Sequence, residues 1–462
     1  ASAIDSLAVL PVSDLRGEDE DVIFADGLTA EMISKFSRVS DWKVVGSSST
    51  KRLRGTDKSS REIADDLDVK ALLISTVQYS GEKRLKMTVE FTRADTDEVL
   101  WSDIFEKDER DIERLQNEIV LALAEEFGID LSAELEQKLR GTRPVDPEAY
   151  RLYLQGRHWF TSEAGGSLEK SIDYFSRALE IDSTMALAYA GIADCYTIMA
   201  CHGMARPHDV YPRARRAINK AMEIDDGLAE VCTPLAHMTV EYDWDTETAL
   251  SQVERAVRLN PSYAFGHHVK AAVLLIGMGQ VEEAEKELWK AYDLDPWSAR
   301  TAVDVTLPMR MTGKAEDLEE ALRFIQDLKE RIPEWEDWPD LASVYAALGR
   351  DEEAISVIEN NMGDGSTNEA WILSSLHALY IRTGRTEKAK VLLSSLEERY
   401  EEKYYPPCLI AWIYLGAGEM ELFFEWLEKS VDERDPFFIK NFRGLQHQKI
   451  GESEQELGDD PR

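Results

Sequence analysis

Short phrases that close a helix recur along the second half of the chain. They are "ALEIDS" from Ala178, "AMEIDD" from Ala221, "AVRLNP" from Ala256 and "AYDLDP" from Ala291, at intervals of 43, 35 and 35 residues. A fixed period near 34 residues constrains the fold more than any single motif does. Each unit is too small to bury its own apolar face, so consecutive units must stack into a continuous helical array. The longest interval contains the inserted stretch "CHGMARPHD", Cys201–Asp209.

The finer pattern is that of a helix pair. Trp338, Leu341, Ala342 and Tyr345 lead through Gly349 to Ala354 and Ile358. Tyr189, Ile192, Ala193 and Tyr196 lead to Ala214, Ile218 and Ala221. His268, Ala271, Ala272 and Leu275 lead to Gly279, Ala284, Leu288, Ala291 and Pro296. Leu373, Leu376, His377 and Tyr380 lead to Gly384, Ala389 and Leu393. Small residues mark helix crossings and large ones fill the opposing holes. The pattern resembles the tetratricopeptide repeat (TPR), with about eight units between Pro147 and Pro436. The unit at 301–333 is the most degenerate.

The first 141 residues read as mixed α/β. "LAVLPV" (Leu7–Val12) and "WKVVGS" are short strands, and Leu28–Val39 is an amphipathic helix. "REIADDL" is a helix capped by Ser59 or Ser60. "ALLISTVQYS", "LKMTVEFTRA" and "EVLWSDIFEKD" form a strand meander, turning at Gly81 and at "DTD". A long helix follows from Asp111 to Phe127. The strand–loop–helix opening raises the question of a phosphate site. Gly17 and Gly27 lie ten residues apart with Glu18, Asp19, Glu20, Asp21 and Asp26 around them. Neither phosphate-binding glycine pattern is present, and the carboxylates would repel phosphate. Asp26 is expected at a helix start, near the positive helix end. No nucleotide turnover is expected.

Three stretches carry a second resemblance: "SLAVLPV", "FADGLTAEMISKFSRVSDWKVVG" and "REIADDLDVKALLISTVQYSGEKRLKMTVEFTRADTDEVLWSDIFEKD". Together they resemble the TolB-amino-terminal-like (FlgO-like) domain, which precedes such repeats in bacterial multidomain regulators. The resemblance implies no catalytic residues. It implies linkage to an upstream output domain (adenylate cyclase, winged helix or kinase), and no such domain is recognisable in these residues. It also implies a periplasmic sensory region of an inner-membrane protein, with a cytoplasmic scaffold as the alternative.

The expected architecture is therefore an α/β N-terminal domain (1–141), an all-α right-handed TPR solenoid (142–436), and a C-terminal extension with an acidic tail (437–462). Cleavage near Gly141–Pro147 is expected to release two folded pieces. The expected function is a non-catalytic protein-interaction or sensory module, without cofactor or metal, with a structural spacer or an enzyme with an unrecognised N-terminal site as the alternatives. A net charge of −36 disfavours nucleic acid as a partner. No apolar run is long enough for membrane insertion. A homo-oligomer is possible. The four cysteines, Cys195, Cys201, Cys232 and Cys408, show no zinc spacing. His267 and His268 are adjacent and diverge by about 100° on a helix, a poor metal pair.

The first helix of each unit should line the concave face. Projection of the pattern places Tyr150, Tyr153, Arg157, Glu230, His237, Glu241 and Lys270 there, as candidate contacts to a protein partner. Tyr and Arg are enriched in interface hot spots. A solvated helix face, or docking of the N-terminal domain onto the same residues, would satisfy the same pattern.

Overall fold

The computed structural model describes residues 4–14, 19–39, 42–79, 83–141, 143–161, 166–333, 335–336, 338–361, 369–402 and 404–440. Gly17, Glu18, Gly81 and the acidic tail lie outside the described residues.

The N-terminal unit is a mixed sheet of β1 (Ser6–Val9), β2 (Ser13–Asp14), β3 (Lys43–Val44), β4 (Ala71–Tyr79), β5 (Arg84–Arg93) and β6 (Glu98–Asp108). The order is β3-β1-β4-β5-β6, with the short β2 also paired to β4. β1 runs parallel to β3 and β4, whereas β4, β5 and β6 form an antiparallel meander. Parallel neighbours need crossover connections. Helix α1 (Asp19–Val39) supplies one; α2 (Ser47–Lys51) and α3 (Ser60–Leu67) supply the other. Side chains alternate across the strands. Leu7, Val9 and Leu73 meet the core under α1 and α4 (Ile112–Phe127), while Ala8 and Leu72 meet Ile63 and Leu67 of α3. Ser59 caps α3 in a reciprocal box with Glu62.

Two local expectations are corrected. The first strand ends at Val9, before Pro11. The amphipathic helix begins at Asp19 rather than Leu28, so the acidic run Asp19–Asp21 forms its first turn instead of a loop. Asp26 consequently lies within α1, not at a helix start. Its carboxylate meets Arg54 at 2.5 Å and His158 at 3.7 Å. Gly27 lies within the helix as well. A side chain there would place its Cβ 2.6 Å from Cβ of Leu154. The glycine is a close-approach residue between two helices, not a turn residue.

After α5 (Ala133–Arg140), eight helix pairs follow among the described residues. They are α6 (Pro147–Phe160) with α7 (Ser167–Ile181), α8 (Ala186–Cys201) with α9 (Pro207–Ile224), α10 (Ala229–Met238) with α11 (Thr246–Leu259), and α12 (Ala264–Ala272) with α13 (Val281–Leu294). The fifth pair has a broken first helix, α14 (Ala299–Val303) and α15 (Thr306–Thr312), facing α16 (Ala315–Arg331). It is the degenerate unit of the sequence. Then come α17 (Trp338–Ala347) with α18 (Asp351–Asn361), α19 (Glu369–Arg382) with α20 (Thr386–Glu402), and α21 (Pro407–Ala417) with α22 (Met420–Asp432). Small-to-large packing is explicit in the first units. Gly156 of α6 and Gly191 of α8 both face the Phe175 ring of α7, and a Cβ on Gly156 would come within 2.5 Å of it. The chain thus joins an α/β N-terminal unit to a TPR solenoid.

The two units share one core. A single buried cluster runs from Leu7 and Phe36 through Ile119 and Tyr150 to Phe175, Ala214 and Met238. Cutting the linker would leave that packing in place, so the shared core argues against free separation of two pieces. At the far end the last pair returns to the second and third. Arg206 pairs with Glu433 at 3.2 Å, His208 meets the Asp432 carbonyl at 2.7 Å, and Trp244 stacks on Phe438.

Candidate functional site

The first helices of leading repeats, α6 and α10, hold the N-terminal unit. Tyr153 donates to Glu31 of α1 at 2.6 Å, and Arg157 lies 3.5 Å from the same carboxylate. Tyr150 donates to Gln116 of α4 at 3.2 Å. Both tyrosines are about 1% exposed. Arg38 of α1 donates to Glu230 of α10 at 2.6 Å, and Ser34 donates to the same oxygen at 2.9 Å. Burial pushes the Glu230 carboxyl up, but Arg38 outweighs it and holds the group down at about 2. Four of the sequence-selected residues, Tyr150, Tyr153, Arg157 and Glu230, therefore do face one surface. Its occupant is the chain's own N-terminal unit, which covers both tyrosine hydroxyls.

A second clasp involves Asp295, at the end of the fourth repeat. Its carboxylate accepts from the backbone N–H of Ser49 at 2.8 Å and of Ser48 at 3.3 Å, and from the Ser49 hydroxyl at 2.6 Å. Burial nevertheless raises its pKa. Gly46 N–H donates to the Leu294 carbonyl at 2.7 Å, and Lys43 pairs with Asp293 at 2.7 Å. The repeat phrase "AYDLDP" thus supplies docking groups as well as a helix end.

Between these two clasps lies a cavity of about 520 Å³. Ile33, Ser34 and Lys51 wall it from the N-terminal unit; Arg157, Glu230 and Asn260 are among the residues that wall it from the repeats. Phe160, Phe175, Tyr263, Phe265 and Trp297 add aromatic surface. The volume falls in the range of ligand sites. Among the wall residues, Arg157 Nε, Glu230 Oε2 and Asn260 Oδ1 are buried polar atoms without a hydrogen-bond partner. Such orphaned groups are rare and costly, and they mark unmet hydrogen-bonding capacity in the wall. The cavity was not legible in the sequence, because its walls come from segments up to about 270 residues apart.

The remaining sequence-selected residues sit elsewhere. Lys270 pairs with Glu287 at 2.6 Å, and His267 reaches the other oxygen of that carboxylate at 2.5 Å. Burial pushes Glu287 up, yet His267 and Lys270 hold it at about 2. His268 turns away to Asp304 at 2.7 Å. His237, two helical turns beyond Glu230 on the same face of α10, approaches Glu241 at 3.3 Å. There they meet Cys201 and Lys440, a grouping the sequence reading did not anticipate.

No family model matches the chain. Over 188 residues, 41% of this chain, it is 28% identical to "Putative adenylate cyclase 3" of Rhizobium meliloti (strain 1021). The match spans about a third (32%) of that relative's length. Similar solved structures include a human IFIT1 dimer with m7Gppp-AAAA (15% identity, TM-score 0.44, covering 69% of this chain and 76% of that one). A tetratricopeptide repeat protein from Parabacteroides merdae ATCC 43184 has 16% identity and a TM-score of 0.39, covering 59% of this chain and 99% of that one. A thermophilic TPR protein of Thermus thermophilus, TTC0263, has 20% identity and a TM-score of 0.34, covering 44% and 99%. These are likenesses of repeat architecture. No described helix is long and apolar enough to cross a membrane.

Proposed function

We propose that this chain is a non-catalytic interaction and sensory module of a bacterial signalling protein. In this reading its N-terminal unit is of the TolB-amino-terminal-like (FlgO-like) type, and its ligand is a short segment of a protein partner. The cavity between the N-terminal unit and the repeats carries the proposal. A peptide backbone offers alternating N–H donors and C=O acceptors. Those are the complements of the acceptors on Glu230 and Asn260 and of the donor on Arg157. The aromatic wall suits one or two side chains, and the volume limits the guest to a few residues. Because both units wall the cavity, a bound segment would strengthen their clasp and so report its presence to a neighbouring domain. The resemblance to the cyclase relative supports a signalling context, with an output domain supplied upstream. In this reading the module is periplasmic, the position that the architectures of the family it resembles favour, with a cytoplasmic scaffold as the alternative.

The test is selection of peptides from a random display library on the full chain, followed by affinity measurement on wild type and Asn260→Leu. Loss of about 1.4 kcal/mol or more, a tenfold weakening, is expected in the variant. Peptides that bind both proteins equally, or a selection that yields none, would remove the cavity from the account. Binding of a small polar metabolite instead, abolished by Asn260→Leu, would keep the site and replace the ligand class.

A further inference from the structure

The second feature lies about two helical turns further along the same helices, where the last pair folds back onto α8 and α10. Cys201 ends α8. His237 lies in the last turn of α10, and Glu241 lies in the wide π-helical turn Thr239–Asp243 that extends it. Such turns are rare and concentrate at functional positions. Sγ of Cys201, one ring nitrogen of His237 and one carboxylate oxygen of Glu241 all lie within 4.8 Å of one another. One point is therefore within about 2.8 Å of all three, close to the 2.0–2.3 Å bonds that zinc makes. The His237 Nε2 to Glu241 Oε1 distance is 3.3 Å. Two ligands of a tetrahedral zinc at about 2.05 Å are separated by about 3.3 Å.

The environment is built as a metal site's would be. Glu241 is fully buried and His237 nearly so. The Tyr211 hydroxyl donates to the other Glu241 oxygen, Oε2, at 2.8 Å. That leaves Oε1 for the cation and fixes the carboxylate plane, the role outer partners play around metal ligands. A positive group already sits there. The Lys440 ammonium lies 3.0 Å from Glu241 Oε1, 3.1 Å from Cys201 Sγ and 3.0 Å from the Cys201 carbonyl. A buried carboxylate needs a counter-charge, and here a side chain from beyond the end of α22 provides it.

We propose that Cys201, His237 and Glu241 form a binding site for a zinc-class divalent cation, with the Lys440 ammonium as its competing occupant. The sulfur, nitrogen and oxygen donor set suits zinc or cobalt rather than magnesium or calcium. On binding, any proton on the Cys201 sulfur or on the coordinating His237 nitrogen passes to solvent as the S–metal and N–metal bonds form. Lys440 leaves with its charge intact. Three protein ligands leave a fourth position open to water. Metal and ammonium cannot occupy the centre together, so the cation acts on one strut of the contact between the last repeat and the second and third. The site is independent of the cavity proposed above.

The experiment is a cobalt titration of the chelator-treated full chain, followed by the thiolate-to-cobalt charge-transfer absorption and reversed by zinc. Lys440→Met is expected to bind one equivalent at least about tenfold more tightly than wild type, and Tyr211→Phe to bind about tenfold more weakly. Cys201→Ser should lose the charge-transfer band; the other three thiols are buried. Should Cys201→Ser fail to fold by circular dichroism, Tyr211→Phe still decides, since it removes only a hydroxyl. Absence of cobalt binding in Lys440→Met, equal affinity of Lys440→Met and wild type, a band surviving Cys201→Ser, or unchanged binding in Tyr211→Phe would each overturn the proposal.

Discussion

The first three repeats and the last four are written in the same motif, yet they are stabilised differently. In the last four, buried side chains fall into local clusters. One joins Ala299, Ile325 and Val344, another Trp338, Ile358 and Leu379, and a third Leu396, Tyr414 and Trp426. Each of these clusters bridges only neighbouring pairs, as in a quasi-one-dimensional array, although the last pair also reaches the second and third through Glu433, Asp432 and Phe438. In the first three the cluster continues out of the array and into the sheet, ending at Leu7 and Val9 of β1. The difference shows what the N-terminal unit does. It adds a second layer to a one-layer structure, and it converts nearest-neighbour stability into the stability of one body.

Core truncations should expose this contrast most strongly. Phe175→Ala is expected to cost about 4 kcal/mol. Because its ring wedges between α6 and α8, the loss should spread to amide protection in α1 and β1. Ile325→Ala in the trailing half should cost about 3 kcal/mol, with protection lost only in the fifth and sixth repeats. Hydrogen exchange resolved by segment reads both. Equal spreading in the two variants would remove the distinction between the halves.

Acid gives a smaller and more specific effect. The Glu230 carboxyl is held at about 2 in the folded chain, against an ordinary value near 4.5. Its contribution is therefore complete above pH 4.5 and drains away as pH falls toward 2. The amount is at most about 3 kcal/mol, shared with Arg38. The N-terminal unit should loosen from the groove over this window before the trailing repeats respond. Glu230→Gln should flatten the pH dependence of exchange in α1 across the same window, and a slope that persists would place the titration elsewhere.

Much of the architecture could be read from local signals. Period, small-residue positions and the "WKVVGS" and "REIADDL" segments pointed to the elements that form, because helix pairing, strand alternation and capping are local physics. The face of the array that carries Tyr150, Tyr153, Arg157 and Glu230 was legible for the same reason. Its occupant was legible only as one alternative among three, docking of the N-terminal unit beside a protein partner and a solvated face, since Arg38–Glu230 and Ser49–Asp295 join residues roughly 190 and 250 positions apart. Asp26-Gly27 misled for a related reason. The dipeptide is turn grammar locally, whereas Gly27 is needed where α1 crosses Leu154. His237 and Glu241 have the i,i+4 spacing of one helix face, but their grouping with Cys201 and Lys440 was not legible, because Cys201 comes from a different helix and Lys440 from the far end of the array.

The clasp itself can be tested directly by inserting a specific protease site into the exposed linker between Gly141 and Pro144 and cutting the folded chain. The account predicts that the fragments 1–141 and 144–462 remain associated through gel filtration at neutral pH, held by the shared core and by the Arg38–Glu230 and Ser49–Asp295 contacts. Elution as two separate, folded pieces would contradict it.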